Sequence, residues 1–516
     1  MTRRPPCVGL LLALVVLIGG LQAGEVPEPK TLVEMTDYAA TSRLEDVQRF
    51  CTALAQRSPR VRLSTLGQSH EGRDLPLLIL ADPPLSTPSE AAQSGKLVVF
   101  LFANIHAGEV SGKEALQLLA RDLTAPEAAP LFQRLIILIN PVLNADGNER
   151  IATTNRPWQG GPIQGVGIRA NAQGLDLNRD FVKLASPEIR ALVKLLNDWD
   201  PRVIVDCHDT DGSFHRYPIT YDGPRHPAAD PRLITFGRDR FLPEVSRRLD
   251  VKDRVKTFVY GDFNRDYTRW ETYPALPRYS TQYFALRGRL GLLSEAYTYA
   301  PFPDRVRATR AFLSRVCAVA ADLEAEVRRL TAAEPPVVGS PLPLRHQTQP
   351  LPGRVDVLGW VEIEQDGRRQ PTNQPKEYPV TVVADCVPTL SVTLPKAYLV
   401  PAHLKRVLAN LRLHGVQTET LASPRTLEVE VVQVVKLTRA GNPFQGVRLS
   451  QVDTVTVAKQ QRSLPAGTVV VPTAQPLGRL AAFLLEAQAD DGLAAWGFLD
   501  DELAEDKPYP ILRQVK

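Results

Sequence analysis

Asn104-Ile-His-Ala-Gly-Glu-Val-Ser-Gly-Lys-Glu114 marks a change of texture in this chain. Before it, Leu97-Val-Val-Phe-Leu-Phe102 is an unbroken apolar run, the pattern of a strand covered on both faces. After it, residues 112–123 carry helical periodicity, with Ser111 expected as the cap and Glu114 as its capping-box partner. His106 and Glu109 therefore fall in the turn between a strand and a helix. Three-residue spacing in helix-like backbone puts both side chains on one side, close enough to share a metal ion. A His-x-x-Glu pair is common by chance, so the rest of the chain must supply its context.

Working outward, the strand-then-helix pattern recurs. Residues 134–139 form a second apolar run, ending in the turn-rich Asn140-Pro-Val-Leu-Asn-Ala-Asp-Gly147. Pro187 opens a helix reaching Trp199. Arg202-Val-Ile-Val-Asp206 reads as a strand that delivers His208, and Arg289-Leu-Gly-Leu-Leu-Ser294 as one that delivers Glu295. A long helix is expected over 304–330. Upstream, 43–56 is helical and 60–79 reads as strand, turn and strand. Apolar strands alternating with helices predict an α/β fold with a mixed, mostly parallel sheet flanked by helices. Ligands of such sheets bind outside the carboxyl ends of the strands. Three strands here end just before His106 with Glu109, His208 and Glu295, which places these groups at one rim.

With 516 residues, 44% hydrophobic and 23% charged, the chain has length for more than one globular domain. Its net charge of +4, or about +2 without Arg3 and Arg4, offers no basic field for nucleic acid. Residues 1–23 read as a secretory signal peptide: a basic start, an apolar core from Val8 to Leu21, and a small residue at Ala23. The apolar run is short for a membrane span, and no span is expected after signal removal. The expected location is secreted or periplasmic. Cys51, Cys207, Cys317 and Cys386 lie far apart, open to one or two bridges or to buried free thiols. The catalytic region is expected over 24–333 and a Pro-rich linker over 334–352. A smaller α+β or β-rich domain of unknown role is expected over 353–516, with helices near 402–414 and 477–487.

Two imidazoles and a carboxylate, with one position left open, suit a catalytic zinc, Zn2+ as one ion. His106 and Glu109 are the paired ligands, and His208 arrives 99 residues after Glu109 on another strand. Such a metal lowers the pKa of bound water and polarises a carbonyl, and Glu295 is the candidate general base. In Gly174-Leu-Asp-Leu-Asn-Arg-Asp180, the amide of Asn178 beside the guanidinium of Arg179 can clamp a carboxylate. Arg169 is placed to stabilise an oxyanion. Asp209, Asp211 and His215 either contact substrate, orient ligands from behind or are loop polarity; Cys207 points to the other strand face, into the core. The geometric requirement is that the rings of His106 and His208 lie within about 8 Å of each other.

Taken in order, Leu66-Gly-x-Ser-x-Glu-Gly-Arg73, His106-x-x-Glu109, Asn144-x-Asp-Gly147, Asp176-Leu-Asn-Arg179, Asp206-Cys-His208 and Leu293-Ser-Glu295 resemble the zinc carboxypeptidases of the M14 (carboxypeptidase A) family. The resemblance covers residues 35–330, about three fifths of the chain. It implies zinc on His106, Glu109 and His208, Glu295 as the catalytic carboxylate, and Asn178 with Arg179 on the substrate's terminal carboxylate. Digestive members carry an oxyanion arginine after an Asn-Arg-x-Trp element; here Asn155-Arg-Pro-Trp158 is followed by Gln159, so Arg169 is preferred and Arg156 is the fallback. Tyr273, Tyr279 and Tyr283 compete as the substrate-capping tyrosine. The reaction implied is hydrolysis of C-terminal peptide bonds, with peptides or peptidoglycan-derived peptides as substrates. The alternatives are an N-acyl amino acid deacylase of the aspartoacylase type and an inactive peptide-binding homologue.

Overall fold

The computed structural model describes residues 1–2, 28–210, 212–332 and 334–515. Residues 3–23 of the expected leader lie outside them. The strands before residue 300 are β1 Val61–Gln68, β2 Asp74–Leu80, β3 Leu97–Ala103, β4 Leu135–Asn140, β5 Val203–Asp209, β6 Ile219–Asp222, β7 Thr257–Val259, β8 Asp262–Phe263, β9 Arg269–Glu271 and β10 Leu290–Ala296. Eight of them form one mixed sheet in the order β1-β2-β4-β3-β5-β10-β6-β7. The inner four, β4-β3-β5-β10, are parallel, and β1, β2 and β6 join antiparallel. All seven residues of β3 are buried, so both faces of the sheet are covered there. Each fully buried Leu, Val or Phe in that run contributes roughly 1.5–3 kcal/mol.

The helix Ser111–Asp122 approaches the sheet closely because Gly112 faces it. A Cβ at that position would stand 2.5 Å from Cys207 Cβ and 2.9 Å from Ala103 Cβ. The expected capping box at this helix does not form; Val110 is the cap residue and makes no side-chain cap bond. Glu114 instead accepts from the Thr41 hydroxyl, the Ser42 backbone N–H and the Ser42 hydroxyl, each at 2.7 Å. Ser111 Oγ donates to Asp209 Oδ2 at 2.9 Å. Both residues are fully buried, and donors from the N-terminal segment together with an acceptor from β5 displace the local pairing.

Beyond residue 334 come β11 Pro341–Pro350, β12 Val355–Gln365, β13 Arg368–Thr393, β14 Ala397–Val400, β15 Glu419–Thr420, β16 Arg425–Arg439, β17 Ser450–Leu464, β18 Val469–Pro472 and β19 Leu512–Gln514, with helices Lys405–His414 and Gly478–Leu485. The expected linker is corrected over 341–350: those residues form β11, whose backbone pairs with β13 along its length. The strand β13 is long, 26 residues, and pairs with both β11 and β12. A six-stranded sheet runs β15-β18-β14-β19-β16-β17, with β16 and β17 a long antiparallel hairpin. A third sheet, β11-β13-β9-β8, takes strands from both halves of the chain, β13 running parallel to β9.

The halves also share one apolar core, which runs without a break from Val33 through the central sheet to Phe483, Trp496 and Ile511. Charged contacts cross it, among them that of Asp491. The fully buried Asp491 carboxylate accepts the Arg278 backbone N–H at 2.5 Å, Arg278 Nε–H at 2.9 Å and Trp496 Nε1–H at 2.7 Å. Cys51, Cys207, Cys317 and Cys386 are all unbridged, and no helix among the described residues is long and apolar enough to cross a membrane. Removing one partner of a buried pair strands the other's charge. Asp491→Ala is therefore expected to cost about 3–5 kcal/mol, read as a lower urea midpoint with an unchanged slope.

Candidate metal and catalytic site

The parallel register of β3, β5 and β10 builds the site. Ala103 pairs with Cys207, and Glu295 lies directly opposite His208. After β3 the chain turns sharply at Asn104, which holds a left-handed φ of 63°. That turn brings His106 and Glu109 back over the end of β5. His106, Glu109 and His208 are each 3% exposed, and one ligand atom from each lies within 4.8 Å of the others. The ring centroids of His106 and His208 are 4.9 Å apart, well inside the separation the sequence required.

Glu109 stands at the centre. Its Oε1 faces His106 Nδ1 at 3.0 Å and its Oε2 faces His208 Nδ1 at 2.8 Å. Arg156 Nη2 donates to Oε1 at 2.5 Å, and the Asp209 backbone N–H reaches Oε2 at 3.3 Å. Burial alone would raise the Glu109 pKa. The charges of His106, Arg156 and His208 hold it well below the usual carboxylate range. The far nitrogens of both rings meet carboxylates: His106 Nε2 faces Asp176 Oδ1 at 3.0 Å, and His208 Nε2 faces Asp206 Oδ2 at 2.9 Å. Burial disfavours charge on His208, but Asp206 and Glu109 outweigh it and raise its pKa well above the ordinary value.

Asp176 and Asp206 carry no expected role from sequence, yet they hold both imidazoles from behind in the carboxylate–histidine arrangement common at metal sites. A signal for Asp206 was present: it stands two residues before His208 on a strand, and so shares its face. Asp176 had none, because its 70-residue separation from His106 is closed only by the fold. The two carboxylates are themselves linked. Ser280 Oγ donates to Asp206 Oδ2 at 2.6 Å, the Ser280 N–H donates to Asn178 Oδ1 at 2.9 Å, and the Asn178 N–H donates to Asp176 Oδ1 at 2.9 Å.

Beside these groups opens a cavity of about 660 Å³, lined among others by Arg169, Asn178, Arg179, Tyr260, Tyr273, Tyr279 and Glu295. His106, Glu109, His208, Glu295, Arg169, Asn178 and Arg179, the expected ligands and catalytic and clamp residues, all border it. Glu295 ends β10 at 7% exposure. Arg179 stacks on the Tyr279 ring at 4.4 Å, and its Nη1 donates to the Asn178 carbonyl at 2.8 Å. Arg169 Nε donates to Asp176 Oδ2 at 2.9 Å; its side chain is 40% exposed, against 10% for Arg156. Of the three competing tyrosines, Tyr273 and Tyr279 line the cavity. Tyr283 is fully buried, its hydroxyl 2.7 Å from His414 Nδ1, and packs in the core. Asp209 is also internal, its Oδ2 2.6 Å from Arg305 Nη1 with both side chains fully buried. His215 is buried against Tyr297, with its pKa pushed down to about 3 by burial.

The donor set fits a divalent cation. One ligand atom from each of His106, Glu109 and His208 converges within 4.8 Å of the others, and the opposite ring nitrogens face carboxylates, which leaves Nδ1 of each histidine for a metal. Residues 47–248 match the peptidase M14 zinc carboxypeptidase family. Carboxypeptidase 2 of Trichophyton rubrum is 25% identical over 511 residues, covering 92% of this chain and 86% of that protein. Human carboxypeptidase Z is 31% identical over 187 residues, 34% of this chain and 26% of that protein. A metallo-carboxypeptidase from Burkholderia cenocepacia superposes with a TM-score of 0.42 at 19% identity, over 55% of this chain and 70% of that one. The stretch that resembles this family, residues 47–248, carries all three of the converging residues, His106, Glu109 and His208.

Proposed function

We propose that the chain is a zinc-dependent metallocarboxypeptidase that removes residues from the C-termini of peptides. The observation carrying this reading is the convergence of His106, Glu109 and His208 beside a cavity that also holds Glu295, Asn178 and Arg179. His106 Nδ1, a Glu109 oxygen and His208 Nδ1 would hold the zinc. Bound there, zinc would supply a water acidic enough to react near neutral pH and a polarised scissile carbonyl. Asp176 accepts from His106 Nε2, and Asp206 places its charge beside His208 Nε2, so that each imidazole keeps its proton there and Nδ1 is available. Arg156 neutralises part of the Glu109 charge from the protein side.

Glu295 takes one proton from the attacking water and delivers it to the departing amide nitrogen, so one peptide bond and one water become a carboxylate and an amine. Asn178 and Arg179 hold the carboxylate at the substrate's C-terminus; the Tyr279 ring under the guanidinium fixes its plane. Arg169, at the more exposed side of the cavity, stabilises the oxyanion that develops on the scissile carbonyl. We also read residues 1–23 as an export signal that places the enzyme outside the cytoplasm.

Three experiments test this reading. A chelator is expected to abolish hydrolysis of peptides with a free C-terminus, with zinc restoring it; full activity of a metal-free preparation would end the proposal. Glu295→Gln should bind zinc like the parent while kcat falls about 10²–10⁴-fold, and a variant of undiminished kcat would remove Glu295 from the mechanism. Loss of a charge-assisted bond costs about 1.5–3 kcal/mol. Arg179→Met should therefore lower kcat/KM about 10–100-fold for peptides with a free terminal carboxylate and change nothing for amidated ones. Preferential cleavage of N-acyl amino acids over peptides in the same assay would favour the deacylase reading.

A further inference from the structure

The connection between β16 and β17 is where local sequence preference and observed residue disagree. Phe444 and Val447 exchange both backbone hydrogen bonds, at 2.8 and 3.0 Å, around Gln445 and Gly446. Gln445 has φ 50° and Gly446 φ 75°. A two-residue hairpin turn with both central residues left-handed strongly favours Asn, Asp or Gly at the first central position. Glutamine is a poor choice there, because its longer side chain does not relieve the left-handed backbone by a local bond. A residue kept against its backbone preference points to a use for its side chain.

That use is visible across the chain. Gln445 Oε1 accepts the Asp176 backbone N–H at 2.8 Å. Asp176 caps the single 3-10 turn Leu177–Arg179, which presents Asn178 and Arg179 to the cavity. Its carboxylate faces His106 Nε2 and binds Arg169. Fixing this one amide therefore sets the turn from which the histidine's partner and the carboxylate clamp both project. The hairpin tip is itself fastened. Lys183 Nζ donates to the Gln445 carbonyl at 3.5 Å, and the Phe444 ring lies 6.1 Å from Trp496 and 5.5 Å from the Arg278 guanidinium.

We propose that Gln445 is a positioning residue of the active site, acting through Asp176 on His106 and on the Asn178–Arg179 clamp, so that the β-rich C-terminal region completes the catalytic centre. This inference rests on the carboxypeptidase reading above. It is tested in the full-length zinc protein with two variants. Gln445→Asn suits the turn better and keeps an amide, but is one methylene too short to reach Asp176. It is expected to melt at the parent temperature or higher, yet to lose zinc to a competing chelator about three- to tenfold more readily, with kcat/KM lowered by a similar factor and KM raised. Gln445→Glu keeps an acceptor at the same reach and should restore both quantities to within about twofold of the parent.

Equal zinc retention and equal kcat/KM in Gln445→Asn and the parent would overturn the proposal. So would equal impairment of both variants, or losses that follow a lowered melting temperature. A parent protein that neither holds zinc nor cleaves peptides would instead refute the carboxypeptidase reading.

Discussion

The parallel pairing of β3, β5 and β10 is the constraint on which this site depends. Strand register is all-or-none: a slip of one residue turns every side chain to the opposite face. A slip of β10 against β5 would send Glu295 into the core and bring up Ser294, which pairs with Cys207 in the native register. The apolar faces of these strands enforce the register, so the same burial that stabilises the sheet also aims the polar groups at its rim. Gly112 contributes by letting the following helix press against Cys207 and Ala103, which holds the His106–Glu109 turn down onto β5.

Burying so many charges is tolerable only because they are mutually satisfied. Glu109 alone receives two imidazoles, a guanidinium and a backbone amide. Behind it, His208 pairs with Asp206 by charge, and hydrogen bonds run on from Asp206 through Ser280, Asn178 and Asp176 to His106. Links of this kind polarise one another and fix geometry more tightly than isolated pairs. The C-terminal region grips the assembly at two further points: Gln445 holds Asp176, and Asp491 holds Arg278, two residues before Ser280.

Much of this was legible in the sequence, for a physical reason. A strand buried on both faces must be apolar, so Leu97–Phe102 and its counterparts announced themselves, and the polar residues that interrupt them at their ends stood out. The parts that escaped notice depend on contacts between distant segments. Ser111 and Glu114 have the spacing of a capping box, yet Asp209, Thr41 and Ser42 claimed their side chains. Prolines at 341, 343 and 350 spelled a linker, but in β11 they sit on a strand paired only to β13 within its sheet, an edge where a missing N–H costs little. Asp176 and Gln445 lie 269 residues apart, and no periodicity connects them.

The proposed role of Gln445 and the grip of Asp491 on Arg278 have a consequence for biosynthesis. Glu295, the last of the converging groups, leaves the ribosome roughly 200 residues before Asp491 does, an interval of about 10–40 s at ordinary translation rates. Throughout that interval the nascent chain carries the reactive groups without the struts that align them. The contacts of Gln445 with Asp176 and of Asp491 with Arg278 thus form only after the C-terminal region has been made.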